Sequence, residues 1–140
     1  MTDPFCSGST TGNTAMQTRV DRGRMSYLAG MAAENSVAAH YVAAGYVLQA
    51  ERWRGRRGEI DLIFAGRDGV IFVEVKKSKT VESALAHVTP AQVRRLFATG
   101  EEYVATLETG SLTDVRFDVA LVDAKGAVHV MENPFAHGFH

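Results

Sequence analysis

The chain has one cysteine, Cys6, in 140 residues. A lone thiol closes no internal disulfide and builds no cysteine-based zinc site, so a reducing cytoplasm is the expected compartment. No apolar run nears the ~18 residues that span a bilayer, and the first twenty residues lack the apolar stretch of a secretion signal. Neither membrane insertion nor export is expected. An excess of one charge is missing as well: fifteen Lys and Arg against sixteen Asp and Glu leave a formal net charge of -1. That excludes attachment to nucleic acid by bulk charge and leaves only local basic patches for the purpose. The five histidines, His40, His87, His129, His137 and His140, show no zinc-ligand spacing, and no nucleophile elbow of a serine hydrolase is present.

What is there suffices for one core. With 46% hydrophobic residues, a chain of this size hides on the order of 68% of its unfolded surface and needs neither metal nor disulfide to fold. Residues 1–24 are dominated by Ser, Thr, Gly and Asn and read as a disordered leader, leaving 25–140 as a single domain. The spacing predicts a helix from an N-cap at Ser26 to Ala44, with a stripe of Leu28, Met31, Ala32, Ala39 and Val42, Glu34 at its margin and Gly45 as the left-handed stop. Strands follow at Tyr46–Glu51, Glu59–Ala65 and Val70–Lys76, separated by an arginine-rich connection at 52–58 and a turn at 66–69. Thr89 and Pro90 open a second helix whose inner face is Val93, Leu96, Phe97, Tyr103, Val104 and Leu107, ended by Gly110. Asp114–Val122 and Ala127–Met131 are the last strands. The order α-β-β-β-α-β-β, without internal repeat, fits an α/β fold: a small mixed sheet flanked by helices.

The hairpin carries the chemistry. Alternation puts Glu59, Asp61 and Ile63 on one face of its first strand and Phe72, Glu74 and Lys76 on the matching face of its second. A loop of Gly66 to Gly69 pairs Ala65 with Val70 and sets Asp61 opposite Glu74; a turn of Asp68 and Gly69 alone sets Asp61 opposite Lys76. Both registers gather the charges on one side. Carboxylates opposed at ~4.5–5.5 Å between Cβ atoms repel unless something neutralises them. Mg²⁺ takes one or two protein carboxylates and completes its shell with water and phosphate oxygens. Lys76 would then hold a metal-bound water and stabilise charge on a transferring phosphate, which together make the parts of a phosphodiester hydrolase. A plain solvated charge cluster is the competing reading, and the presence of Ile63 and Phe72 on the same face counts against it.

The stretch Gly55-Arg56-Arg57-Gly58-Glu59-Ile60-Asp61-Leu62-Ile63 followed by Val73-Glu74-Val75-Lys76 resembles the signature of the YraN-type family of uncharacterised bacterial proteins. These look like members of the PD-(D/E)xK restriction-endonuclease-like superfamily and are similar to archaeal Holliday junction resolvases. The likeness runs from Met31 to Phe135 and includes Gly45-Tyr46, Arg116-Phe117-Asp118-Val119 and the closing His129-Val130-Met131-Glu132-Asn133-Pro134-Phe135. It implies a restriction-endonuclease-like sheet and a metal-dependent nuclease core. Asp61, Glu74 and Lys76 would stand in the catalytic positions and Glu34 would be a further, often water-mediated, ligand of Mg²⁺ or Mn²⁺. Gln92 matches the position of a polar active-site residue in some relatives. Ser78 stands where the family commonly carries arginine, so Lys77 or Lys79 would take over the phosphate contact.

Arg52, Arg54, Arg56 and Arg57 put four arginines in six residues around Trp53, read as a phosphate-gripping loop with an indole that stacks on an unpaired base. The alternative is a solvated loop with its tryptophan in the core. Glu59 is expected to pair with a base, in the first register Lys76. Asp118 is expected to bridge to a helix or an arginine, and the histidines, of which His87 follows Lys76 most closely, to be structural or exposed. The expected function is a cytoplasmic Mg²⁺- or Mn²⁺-dependent endonuclease acting on DNA, including branched or damaged forms. Its rivals are a nucleic-acid-binding module that keeps the scaffold without cleaving, and a homodimeric scaffold with no nucleic-acid role.

Overall fold

Strands that lie parallel need a long crossover between them, and one such pair organises this sheet. In the computed structural model, which describes residues 30–135, β1 (Val47–Arg54), β2 (Glu59–Gly66) and β3 (Gly69–Lys77) form an antiparallel meander. β4 (Val115–Val122) runs parallel to β3, and β5 (Val128–Met131) runs antiparallel to β4, in the spatial order β1-β2-β3-β4-β5. The β3–β4 crossover carries α2 (Val81–Ala86), α3 (Pro90–Val104) and a 3₁₀ turn at Gly110–Leu112. A helix over residues 30–43, α1, precedes β1. The mixed sheet and the order α-β-β-β-α-β-β are as the sequence predicts, with α2 as an addition. No described helix is long and apolar enough to cross a membrane.

Both faces of the sheet are buried because alternate residues of β2 and β3 are apolar on both sides. Leu62, Phe64, Ile71 and Val73 pack with Ala33, Val37 and Tyr41 of α1. Ile63, Val70 and Phe72 pack with Leu96, Tyr103 and Val104 of α3. The buried stripe of α1 is therefore Ala33-Val37-Tyr41, not the stripe through Ala32, Ala39 and Val42, which face solvent. In an alanine-rich helix small residues lie all around, and the buried stripe is the one that carries the large polar-tipped ring, Tyr41. The leader, the Ser26 cap, Leu28, His137 and His140 lie outside the described residues.

Three local boundaries also differ. β1 continues through Arg52, Trp53 and Arg54, so the connection to β2 shrinks to Gly55–Gly58, closed by the Gly55 N–H donating to Gly58 O at 2.9 Å. β1 is an edge strand, where long charged side chains are at home although they read as loop. α2 forms inside the segment expected as a connection, with the Ser83 N–H donating to the Thr80 hydroxyl at 3.0 Å. α3 opens as predicted on Thr89 and Pro90, with a complete capping box between Thr89 and Gln92, but ends at Val104 with Gly110 beyond it. Gly45 (φ +101°) supplies the stop after α1. At Gly69 a Cβ would sit 2.1 Å from the Asp114 carbonyl oxygen, so only glycine lets the hairpin turn meet β4.

The layers are tied together by Asp118, whose side chain is fully enclosed. It accepts from the Tyr41 hydroxyl at 2.6 Å, from Arg116 Nε and a terminal nitrogen at 2.9 and 2.8 Å, and from the Asn133 N–H at 3.2 Å. Arg116 also reaches Glu132 at 3.4 Å. One carboxylate thus joins α1, β4 and the turn after β5, and Asp118 has the arginine partner expected for it. Removing the carboxylate leaves the buried Tyr41 hydroxyl and the Asn133 N–H without their acceptor, so Asp118→Ala should destabilise by roughly 3 kcal/mol. Glu59→Ala, which breaks only the exposed 3.5 Å pair with Arg54, should cost under ~1 kcal/mol. Urea unfolding midpoints of the two variants measure the difference.

Candidate functional site

The sheet forks at one point, and the fork holds the acidic residues. The β2–β3 pairs run from Gly66↔Gly69 through Ala65↔Val70 to Leu62↔Val73 and stop there. Beyond that point β2 stays with β1, through Ile60↔Trp53 and Glu59↔Arg54. β3 stays with β4, from Glu74↔Val119 to Lys77↔Val122. A parting ladder leaves backbone groups without their strand partners. Asp61 satisfies one of them: its Oδ2 accepts the Val75 N–H at 2.8 Å. The register is the one with Ala65 on Val70, so Asp61 and Glu74 follow Leu62 and Val73 as the next residues across the opening.

Their carboxyls hydrogen-bond to each other. Burial raises Glu74 well above the usual carboxylate range, and the Asp61 charge and the bond to Asp61 push it the same way. Asp61 is also raised, mainly by burial, against the lowering effect of the Val75 N–H and the Glu74 bond. Two acids in one sheltered gap are thus both pushed toward the protonated form, and they titrate as a pair. Lys76 Nζ lies 3.2 Å from Glu74 Oε2, with both side chains mostly enclosed, at 22% and 18% exposure. Asp61, Glu74 and Lys76 form one contiguous group.

Glu34 of α1 stands beside this group without joining it. Burial and the nearby Asp61 charge raise its carboxyl, and Arg52 works in the opposite direction from 3.7 Å. Among the described residues no three or more His, Cys, Asp or Glu side chains come close enough together to hold one ion. The acids that converge directly are the pair Asp61 and Glu74.

The arginine segment divides in two. Arg56 and Arg57 project from the turn, whose backbone is clamped to α3 by Glu102: its carboxylate accepts the Arg56 N–H at 2.9 Å and the Arg57 N–H at 3.2 Å. Those bonds hold Glu102 below its ordinary range, and both arginines are exposed. Arg54 is exposed and pairs with Glu59, which corrects the expected Glu59–Lys76 contact. Trp53 is half-buried and meets Tyr103 edge-on at 5.3 Å, so its ring belongs to the α3-side core. Arg52 falls across the sheet from Asp61, between the pairs Glu51↔Leu62 and Trp53↔Ile60. Reading 52–58 as a loop missed this; a strand continued to Arg54 would have shown it. Lys77 and Lys79 are exposed beyond Lys76. The Gln92 side chain is engaged by its capping box, and His87 caps α2 with its ring against Ser83 O.

A three-layer α/β protein with a buried acid pair and an ammonium at a fork in its sheet is the class that fold and site define. The Uncharacterised protein family UPF0102 matches residues 33–122, and the chain belongs to that family. It is similar to a UPF0102 protein of Roseobacter denitrificans, 57% identical over 86% of this chain and 93% of that one. A second, from Ruegeria pomeroyi, is 48% identical over 88% and 100%, and a third, from Cereibacter sphaeroides, is 48% identical over 81% and 97%.

The raised Glu74 carboxyl has a thermodynamic signature. The folded protein keeps a proton on Glu74 between the ordinary value of 4.5 and about 8, a range in which the unfolded chain has lost it. The native state binds more protons there, so this group's contribution to stability falls as pH rises through that window. Glu74→Gln, which imitates the protonated acid, should flatten the fall. Its melting temperature should exceed that of the wild-type protein at about pH 9 and approach it at about pH 4, as calorimetric scans across pH would record.

Proposed function

We propose that the protein is a metal-dependent nuclease that hydrolyses phosphodiester bonds in DNA, including branched or damaged structures. The observation that carries this reading is the convergence of Asp61 and Glu74, bonded to each other at the fork with Lys76 beside them. Hard oxygen donors in this number suit Mg²⁺ or Mn²⁺, which takes one or two carboxylates and leaves its other positions to water and phosphate oxygens. The donor chemistry fits: the proton that burial favours on the pair is what such an ion replaces. When bound, the ion would polarise the phosphoryl oxygen and lower the pKa of an attacking water. Asp61 and Glu74 would hold it, with Glu34 the nearby acid that could add to its shell. Lys76, fixed by Glu74, would orient the water and offset charge that builds on the phosphate.

The exposed Arg54, Arg56, Arg57, Lys77 and Lys79 supply phosphate contacts along the backbone, and Arg52 brings one further cationic group to the site itself. Trp53, held against Tyr103, contributes chiefly by fixing the strand that carries them. A nucleic-acid-binding module that does not cleave is the second reading; it is favoured by the lack of a third directly converging acid among the described residues.

The nuclease reading expects that Asp61→Asn and Lys76→Ala abolish cleavage of DNA while circular dichroism and melting show a folded chain. Wild-type protein that cuts no linear, nicked, flapped or four-way DNA with Mg²⁺ or Mn²⁺ would overturn it. Calorimetry of Mn²⁺ separates the two readings: uptake by the wild-type chain that is lost in Glu74→Ala supports the nuclease, and no uptake supports the binding module.

A further inference from the structure

Arg52 occupies an unusual backbone position for its side chain. Its φ is +47°, the left-handed region that a long non-glycine residue adopts at a cost. It does so in the row of the sheet that contains Asp61, with its guanidinium 3.7 Å from Glu34. Beside the fork's own acids, Asp61 and Glu74, and its base Lys76, stand one further acid, Glu34, and one further base, Arg52. Lys76 is committed to Glu74. Arg52 is the base committed to Glu34, the acid that stands apart from the converging pair. Its side chain is 39% exposed and that of Glu34 21%. The contact with Glu34 is a partly exposed pair, of the kind worth little in water, whereas the Glu34 carboxyl is sheltered beside Asp61.

We propose that Arg52 is a tethered counter-ion that holds Glu34 in reserve, and that Glu34 turns to a divalent ion at Asp61 and Glu74 only when Arg52 lets it go. The inference rests on the reading of that pair as a divalent-ion site and adds to it a regulation: loading in two stages, set by competition between a guanidinium and the incoming ion for one carboxylate. Any group that draws Arg52 outward, above all a backbone phosphate, strengthens the ion's hold by freeing Glu34. The coupling between the two ligands is reciprocal.

The test is calorimetric titration of Mn²⁺ alone into the full chain, as wild type, Arg52→Asn, Glu34→Gln and the double variant. Asparagine suits the left-handed region better than arginine; if that chain does not melt cooperatively, Arg52→Gln replaces it. Arg52→Asn should bind Mn²⁺ at least ~5-fold more tightly than wild type, and the gain should vanish when Glu34→Gln is present. Equal affinity of wild type and Arg52→Asn overturns the proposal while leaving the ion site intact. A gain of the same size on the Glu34→Gln background also overturns it, because removal of a positive charge would then account for everything. Uptake by Arg52→Asn but not by wild type supports it if Glu34→Gln removes that uptake. No uptake by any of the four chains removes the ion site itself, and this inference with it.

Discussion

Two carboxyl groups from neighbouring strands are held in one sheltered gap, and most of what distinguishes this protein depends on that constraint. A sheet does not ordinarily tolerate opposed acids in a half-apolar setting. Here the cost is met by protonation, by the Val75 N–H and by the Lys76 ammonium. None of the three is a strong ion pair in water; together they make a site whose charge state is easily exchanged. Under the proposed nuclease reading, such exchangeability would let a cation take the place of a proton.

The rest of the fold keeps the gap open. Leu62↔Val73 is the last β2–β3 pair, and each strand then follows its outer neighbour. The cores on the two faces hold the strands up to that point from both sides, through α1 and α3. Asp118 locks α1 to β4 through the Tyr41 hydroxyl, and Glu34 lies two helical turns before Tyr41 on the same helix. The buried anchor thus fixes the register of the helix that carries the acid nearest the pair.

Much of this was legible from residue order. The alternation in β2 and β3 gave the hairpin and the common face of Asp61, Glu74 and Lys76, but a period of two does not separate registers that differ by two residues, and the pairing of Ala65 with Val70 came only with the structure. Thr89 and Pro90 gave the start of α3, because capping is a local matter. What was not legible depended on tertiary context. The buried face of α1 is the Ala33-Val37-Tyr41 stripe, and what selects it over other stripes of small residues, including the Tyr41 hydroxyl reaching Asp118 across 77 residues, is tertiary context. β1 was cut short because arginines read as loop when their place on an open edge is unknown, and that error hid the position of Arg52. The fork itself is a missing set of backbone bonds and has no side-chain pattern of its own.

The charged outer strand has a further meaning for the protein as a substance. A long strand with unsatisfied backbone groups along one side invites copies of itself to add on, the first step toward fibres. In β1 that side carries Arg52 and Arg54 and a break in register between Leu48 and Ala50, while the opposite border, β5, is only four residues long. Repulsion and bending at one margin and brevity at the other leave little template for cross-β growth among the described residues.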